Sequence, residues 1–245
     1  MTFSPKIATV GMAGLLVTFG DKLSEPANRA ALAFRAAVNA QGWKEVSETT
    51  TSLVSAFVLC DLAAVDIDVM QGRLADLLAS RDWYAAPLPA GRSLWHVPTV
   101  YGTDLAPQLE EAAALAGLDP DAAIAQLSSA RVRVLTIGFA PGQPYMGELP
   151  ANWDLPRQEG LTRSVPGGAL ITAIRQLIIF TAASPTGWRH IGQTAFRTFR
   201  PDASAPFALA PGDELIFPSV PRAEVLRLRA SDQTGDGGAD REALP

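Results

Sequence analysis

The chain has 245 residues, of which 48% are hydrophobic and 18% charged, with a net charge of −5 and one cysteine. That balance supports a buried core in one large or two ordinary domains, and it excludes a nucleic-acid surface as the main business, because phosphate binding needs clustered Lys and Arg. No apolar run reaches the roughly 18–20 residues of a membrane span, no signal peptide is evident, and one cysteine leaves no internal disulfide, so a cytoplasmic location is expected.

Taken in chain order, Ala13 to Phe19 reads as a strand closed by Gly20-Asp21. Ser24-Glu25-Pro26 reads as a helix start, a Ser cap with Pro in the first turn. The Ala-rich helix runs on to Ala40 and stops at Gly42. Trp43 to Thr49 and Ser52 to Leu59 read as a strand pair, with Cys60 as buried packing beside them. A second helix spans about Asp68 to Ser80, where Val69, Leu74, Leu77 and Leu78 fall near helical spacing. This β-α-β-β-α order predicts a small two-layer α+β domain over residues 1–88.

The Pro- and Gly-bearing stretch 85–91 is the expected boundary. A strand follows at Ser93 to Val97, then helices at Asp104 to Ala116 and Asp119 to Ser128, with Gly117 as the break. The second helix has no Lys or Arg to meet phosphate, so the pair reads as a helical hairpin packed on a barrel rather than a DNA reader. Short apolar runs at 132–137, 169–174, 177–183, 194–199 and 214–217, separated by Gly and Pro turns, predict an all-β barrel domain over 89–225. The polar, Gly-rich end, 226–245, reads as a disordered tail.

The loops hold the most information. Gly138 to Pro150 packs three Gly, three Pro and two aromatics into 13 residues. Val165-Pro166-Gly167-Gly168 and Ser184-Pro185-Thr186-Gly187-Trp188 are built the same way. Gly admits backbone angles that other residues avoid and Pro fixes them, so these are shaped loops on a β framework. Near them lie the candidate site residues: Tyr145, Arg157, Arg163, Gln176 and His190. Gln176 and Arg175 interrupt an apolar strand. Either Gln176 and an Arg face a pocket and hold an amide or carboxylate, or Arg175 lies on the solvent face and Gln176 satisfies the backbone. Two isolated histidines, His96 and His190, make no metal set, and no phosphate loop is present.

The loops in this order resemble a known family, that of KipI, the 5-oxoprolinase B subunit and allophanate hydrolase subunit 1, whose members are also described as carboxyltransferase subdomains C and D. The resemblance rests on Val97-Pro98-Thr99-Val100-Tyr101-Gly102 and Gly138 to Gly147. It continues through Leu155-Pro156-Arg157, Val165 to Gly168, Ser184 to Trp188, Ile191-Gly192-Gln193-Thr194 and Leu209-Ala210-Pro211-Gly212-Asp213. It implies a small α+β N-terminal domain and a cyclophilin-like β-barrel C-terminal domain. It also implies a larger partner, of the type of KipA or the 5-oxoprolinase C subunit, and a third, LamB/YcsF-like chain. Such assemblies open 5-oxoproline to glutamate with ATP, so ATP would act through the complex, on a small cyclic amide or urea-like substrate. In that setting Gln176 would bond the substrate amide, Arg157 or Arg163 would hold a carboxylate, Tyr145 would line the pocket and His190 would move a proton. A KipI-type inhibitor of a histidine kinase and a structural subunit without chemistry are the alternatives. The family's Gly-Gly-x-Gln-Thr-Gly-x-Tyr-Pro stretch is here Ala173 to Thr181, in which only Gln176 is kept. Replacing glycines with Ala and Ile predicts a narrower approach to that backbone.

Overall fold

The computed structural model describes residues 4–244, which divide into two compact units, Met1–Ala90 and Gly91–Pro245.

The first unit is a four-stranded antiparallel sheet with two helices. Its elements are β1 (Lys6–Val10), β2 (Gly14–Thr18), α1 (Glu25–Gln41), β3 (Val46–Thr51), β4 (Ser55–Cys60) and α2 (Ile67–Ala79), and the strand order is β1-β2-β4-β3. Helix α1 starts where Ser24 accepts a side-chain bond from the Ala27 N–H and stops at Gly42 in the left-handed conformation, φ 64°. Its buried Ala30, Ala31, Phe34 and Val38 pack against Leu15, Val17 and Val58. Phe34 meets Trp83 edge to face at 5.0 Å. Strand β1 is not foreseen from the sequence because it is an exposed edge strand and shows no apolar run. Both strands of the β3–β4 pair start three residues later than the sequence suggests, and Ser52 N–H, bonded to Ser55 O at 2.9 Å, makes 52–54 the turn. Cys60 is buried and its thiol pKa is raised by desolvation, which keeps it protonated packing.

The second unit is a nine-stranded mixed sheet with helices. It comprises β5 (Ser93–His96), β6 (Thr99–Tyr101), α3 (Leu109–Leu115), α4 (Pro120–Ser129), β7 (Val132–Ile137), β8 (Pro144–Gly147), β9 (Thr162–Val165), β10 (Ala169–Ala173), β11 (Gln176–Ile179), β12 (Ser184–Thr186), β13 (Arg189–Thr194), β14 (Glu214–Ile216), α5 (Arg222–Ser231) and β15 (Asp240–Ala243). The order is β15-β5-β14-β7-β8-β11-β10-β13-β6, with β9 and β12 paired apart. All neighbours are antiparallel except β14 and β5. The sheet curls: beyond β14, Ser219 bridges Thr99 at the start of the opposite edge strand, and Val97 and Thr99 donate to Ile216 O and Pro218 O at 2.9 Å. The result is a half-barrel around Trp153, Phe196, Phe217, Leu170, Leu177 and Ile191. Helices α3 and α4 cover it with Leu109, Ala112, Ala123 and Leu127. Asp119 caps α4 by accepting from Ala122 N–H at 2.7 Å.

Three expectations need correction. The unit is a curled half-barrel rather than an all-β barrel: the expected helical hairpin stands on it as α3 and α4, and α5 is added. Residues 226–244, expected as a disordered tail, complete α5 and add β15, whose Asp240 to Ala243 pair with His96 to Ser93. The composition misled because Gly235, Gly237 and Gly238 take positive φ to turn the chain back, and an exposed edge strand has little need of apolar residues. The run 194–199 is likewise not a strand. The strand lies at β13, whose buried Arg189, His190 and Gln193 hide it from a hydropathy reading. Among the described residues no helix is long and apolar enough to cross a membrane.

Candidate functional site

Strand alternation sorts the side chains of the second unit. On β10 and β11, Leu170, Leu177 and Ile179 enter the half-barrel core. Ile171, Ala173, Ile178 and Phe180 gather on the other face with Val165 and Trp188. On that outer face lies a cleft of about 340 Å³ floored by Ile171, Ile178 and Phe180. Tyr145, Trp188, Arg157 and Gln158 form its walls, and Phe139 and Leu161 its rim.

The loop between β7 and β8 supplies one wall. Gly138 N–H bonds Gln143 O and Gln143 N–H bonds Ala140 O, both at 3.1 Å. This tight reversal puts Phe139 at φ 70° and Gly142 at φ 71°. A Cβ at Gly142 would stand 2.9 Å from Thr198 O, so only glycine fits there. Phe139 is 81% exposed. An aromatic side chain held in the left-handed region and turned out to solvent is an uncommon arrangement that concentrates at binding sites.

The opposite wall is a stack. Tyr145 meets Trp188 edge to face, with centroids 6.3 Å apart. The Arg157 guanidinium lies 5.5 Å over the same indole ring. Trp188 is fixed by its own loop, where its N–H bonds Thr186 Oγ1 at 3.0 Å. Gln158 joins the wall to α3. Its N–H bonds Gly187 O at 2.7 Å and its Nε2 donates to Trp188 O at 3.0 Å. Its Oε1 accepts from Gln108 Nε2 at 2.8 Å. Arg157 forms no ion pair among the described residues, so its planar fork remains available to a carboxylate. The cleft thus combines an apolar floor, an aromatic wall and one oriented cation.

Of the five expected site residues, Tyr145 and Arg157 come together in this cleft. Gln176 shares the face of Ile178 but lies opposite Gly147, one alternation beyond the Ile178–Tyr145 pair, and does not line the cleft. It sits where β10 and β11 reverse through Ile174 and Arg175, at φ 45° and 60°. Arg175 Nε bonds Leu149 O at 2.8 Å. Arg163 is exposed on β9 and also lies outside the cleft lining. His190 is buried on β13. Its N–H bonds Gln108 Oε1 at 2.8 Å, which links its main chain, not its imidazole, to Gln158. Desolvation lowers the imidazole pKa to about 4, so the ring is neutral at pH 7. Its Nε2 finds no partner among the described residues.

Trp188 lies inside a loop singled out from the sequence and Gln158 directly follows the Leu155-Pro156-Arg157 segment, yet their roles depend on Gln108. That residue precedes α3, fifty positions away, and nothing local marks it. No group of three or more His, Cys, Asp or Glu stands together to hold a metal ion among the described residues.

Residues 5–209 match the family described as carboxyltransferase domain, subdomain C and D. The chain is 27% identical over 231 residues to the B subunit of 5-oxoprolinase from Bacillus subtilis (strain 168), covering 89% of this chain and 93% of that one. The crystal structure of TTHA0988 superposes with a TM-score of 0.72 at 29% identity, over 85% of this chain and 40% of that one. The K. lactis urea amidolyase superposes with a TM-score of 0.76 at 16% identity, over 98% of this chain and 16% of that much longer one. At that identity the likeness concerns the fold.

Proposed function

The chain belongs to the carboxyltransferase domain family, subdomains C and D, and from that premise we propose that it is one subunit of an ATP-dependent hydrolase complex of the 5-oxoprolinase type. The substrate class is a small cyclic amide or urea-like molecule bearing a carboxylate. The larger partner is a chain like KipA or the 5-oxoprolinase C subunit, a LamB/YcsF-like chain completes the assembly, and ATP enters through the complex. A cytoplasmic setting and a cyclophilin-like ancestry for the half-barrel belong to the same reading.

One observation carries the proposal: the Arg157 guanidinium, without an ion pair among the described residues, is held over Trp188 at the mouth of an apolar cleft. A small cyclic amide bearing a carboxylate would set the hydrocarbon part of its ring on the apolar floor and its carboxylate on the guanidinium fork. The cleft walls offer no activated nucleophile. The reacting groups are therefore assigned to the partner subunits, and this chain binds and orients. Support also comes from a relative named as the B subunit of 5-oxoprolinase that is matched over 93% of its length.

The rim residues Phe139, 81% exposed, and Leu161, 70% exposed, are well placed for contact with the partner once substrate is seated. Reconstitution with the partner subunits encoded beside it, followed by assay of ATP-dependent 5-oxoproline opening, tests the proposal. Turnover that requires this chain supports it. A stable complex that turns over neither 5-oxoproline nor urea overturns it and favours the regulatory alternative.

A further inference from the structure

We propose that the second unit carries a separate binding site for a small organic carboxylate, in the cavity between the Gly167–Gly168 turn and the last turns of α5. The cavity measures about 400 Å³. Pro166, Phe196 and Phe180, the one lining residue shared with the first cleft, give it an apolar side, and Arg197 and Arg229 give it two cations.

The polar groups of the Gly168 turn and of Thr194 are spent on one another and on Phe180. Gly168 N–H bonds Phe180 O at 2.7 Å, and Thr194 Oγ1 donates to Gly168 O at 3.1 Å. Gly168 takes φ 75°, and a Cβ there would stand 2.7 Å from Thr194 O. The turn therefore approaches β13 as closely as bare backbone permits.

The arginines behave differently from their neighbours. On α5, Arg222 pairs with Asp104 and Arg227 pairs with Glu224. Arg229, on the same helix, has no carboxylate partner among the described residues. It places Nε and Nη2 on Thr194 O at 3.3 and 3.1 Å, which leaves Nη1 without a partner among the described residues. Burial lowers its pKa, as expected for a cation that has lost water without gaining an anion. Arg197 has no side-chain hydrogen bond or ion pair among the described residues. Gly235, at φ 87°, lets it lie against backbone, since a Cβ there would stand 3.2 Å from Arg197 Nε. The carboxylate on the cavity wall, Asp232, is already committed to Thr234 N–H, Thr234 Oγ1 and Gly235 N–H. Two cations against one engaged anion make a local positive site in a chain of net charge −5.

An anion with an apolar body fits this arrangement better than a bare oxyanion. The apolar rings offer nothing to a phosphate or sulfate but suit the hydrocarbon body of an organic carboxylate, whose oxygens the Arg197 fork and the remaining Nη1 of Arg229 can meet. Part of the wall, from α5 onward, lies beyond residue 209, where the family match ends.

The test uses the full chain, isotopically labelled, titrated with benzoate and separately with inorganic phosphate at fixed ionic strength, and read by amide NMR shifts. The expected result is saturable shifts at Gly168, Thr194 and Arg197 with benzoate and no saturation with phosphate. Arg197→Ala, at an exposed position, should weaken this binding roughly tenfold or more, as should Arg229→Lys, which keeps the charge but cannot hold Thr194 O and offer Nη1 to the ligand at once. Shifts confined to Gly187 and Trp188 would assign benzoate to the first cleft and overturn the proposal. So would tighter binding of phosphate, benzoate shifts that survive both substitutions, or none at all.

Discussion

The Arg157 guanidinium lies 5.5 Å over the ring of Trp188, and Trp188 is only 5% exposed. The buried ring is therefore a fixed platform and the arginine the movable part laid on it. A cation over an indole gains about 0.5–1 kcal/mol at an exposed site, enough to bias the guanidinium toward the cleft but not to hold it against a competing carboxylate. Trp188→Phe should keep the platform and cost less than about 2 kcal/mol of stability, and Trp188→Ala should cost about 3 kcal/mol or more. Urea unfolding of the two variants checks the order. Equal losses would show that ring identity at this wall is irrelevant.

Gln108 ties α3 to the cleft and to β13 at once, through Gln158 Oε1 and His190 N–H. Gln108→Ala strands both groups, at a cost of about 1–3 kcal/mol. Because Gln158 then keeps its bonds to Gly187 and Trp188 but loses its tie to α3, substrate binding by the assembled complex should weaken as well. Gln108→Glu keeps the acceptor for His190 N–H and loses the donor to Gln158, so it should recover part of the stability and none of the binding.

His190 sets a pH dependence whose sign follows from burial. Desolvation lowers its pKa from 6.5 to about 4, so the unfolded chain takes up this proton at a higher pH than the folded one. The stabilisation from the neutral ring is complete above about pH 6.5 and is lost as pH falls toward 4, by on the order of 3 kcal/mol. Asp213 acts in the opposite sense, since burial raises its pKa. Comparison with His190→Asn isolates the histidine: the variant should lose the steep fall between pH 6.5 and 4. A variant that keeps the same slope would place the titration elsewhere.

The chain end is structural. Val225 and Leu228 are buried, β15 pairs with β5, and Arg241 lies 5.5 Å over Trp95. Removing residues 222–245 should lower the unfolding free energy by several kcal/mol. Loss of residues 240–245 alone should cost far less, because β15 is exposed throughout. An unchanged urea midpoint after the longer deletion would contradict this packing.

Much of the fold is legible in the sequence where local chemistry decides it. Ser24, Pro26 and Gly42 bound α1, Asp119 caps α4, and Val132 to Ile137 is a strand from end to end. What escapes notice is set by distant partners. Strand β13 buries an arginine and a glutamine because Glu111 and Gly167 meet them from other parts of the chain, and Gln108 meets the main-chain N–H of the buried histidine between them. The site follows the same rule. Loop shape exposes Tyr145 and Arg157, which need only a wall. Gln176 has the right face and the wrong distance along its strand, since strand alternation fixes side and not position. Gln158 acquires its role from a residue fifty positions away.

The most direct test of the account is the Michaelis constant of the reconstituted complex for 5-oxoproline with Arg157→Ala and Arg157→Lys. Loss of a charge-assisted carboxylate contact predicts a rise of roughly tenfold or more for Arg157→Ala, with a smaller change in kcat and partial recovery in Arg157→Lys. Full turnover at an unchanged Michaelis constant in Arg157→Ala would show that the cleft does not bind the substrate.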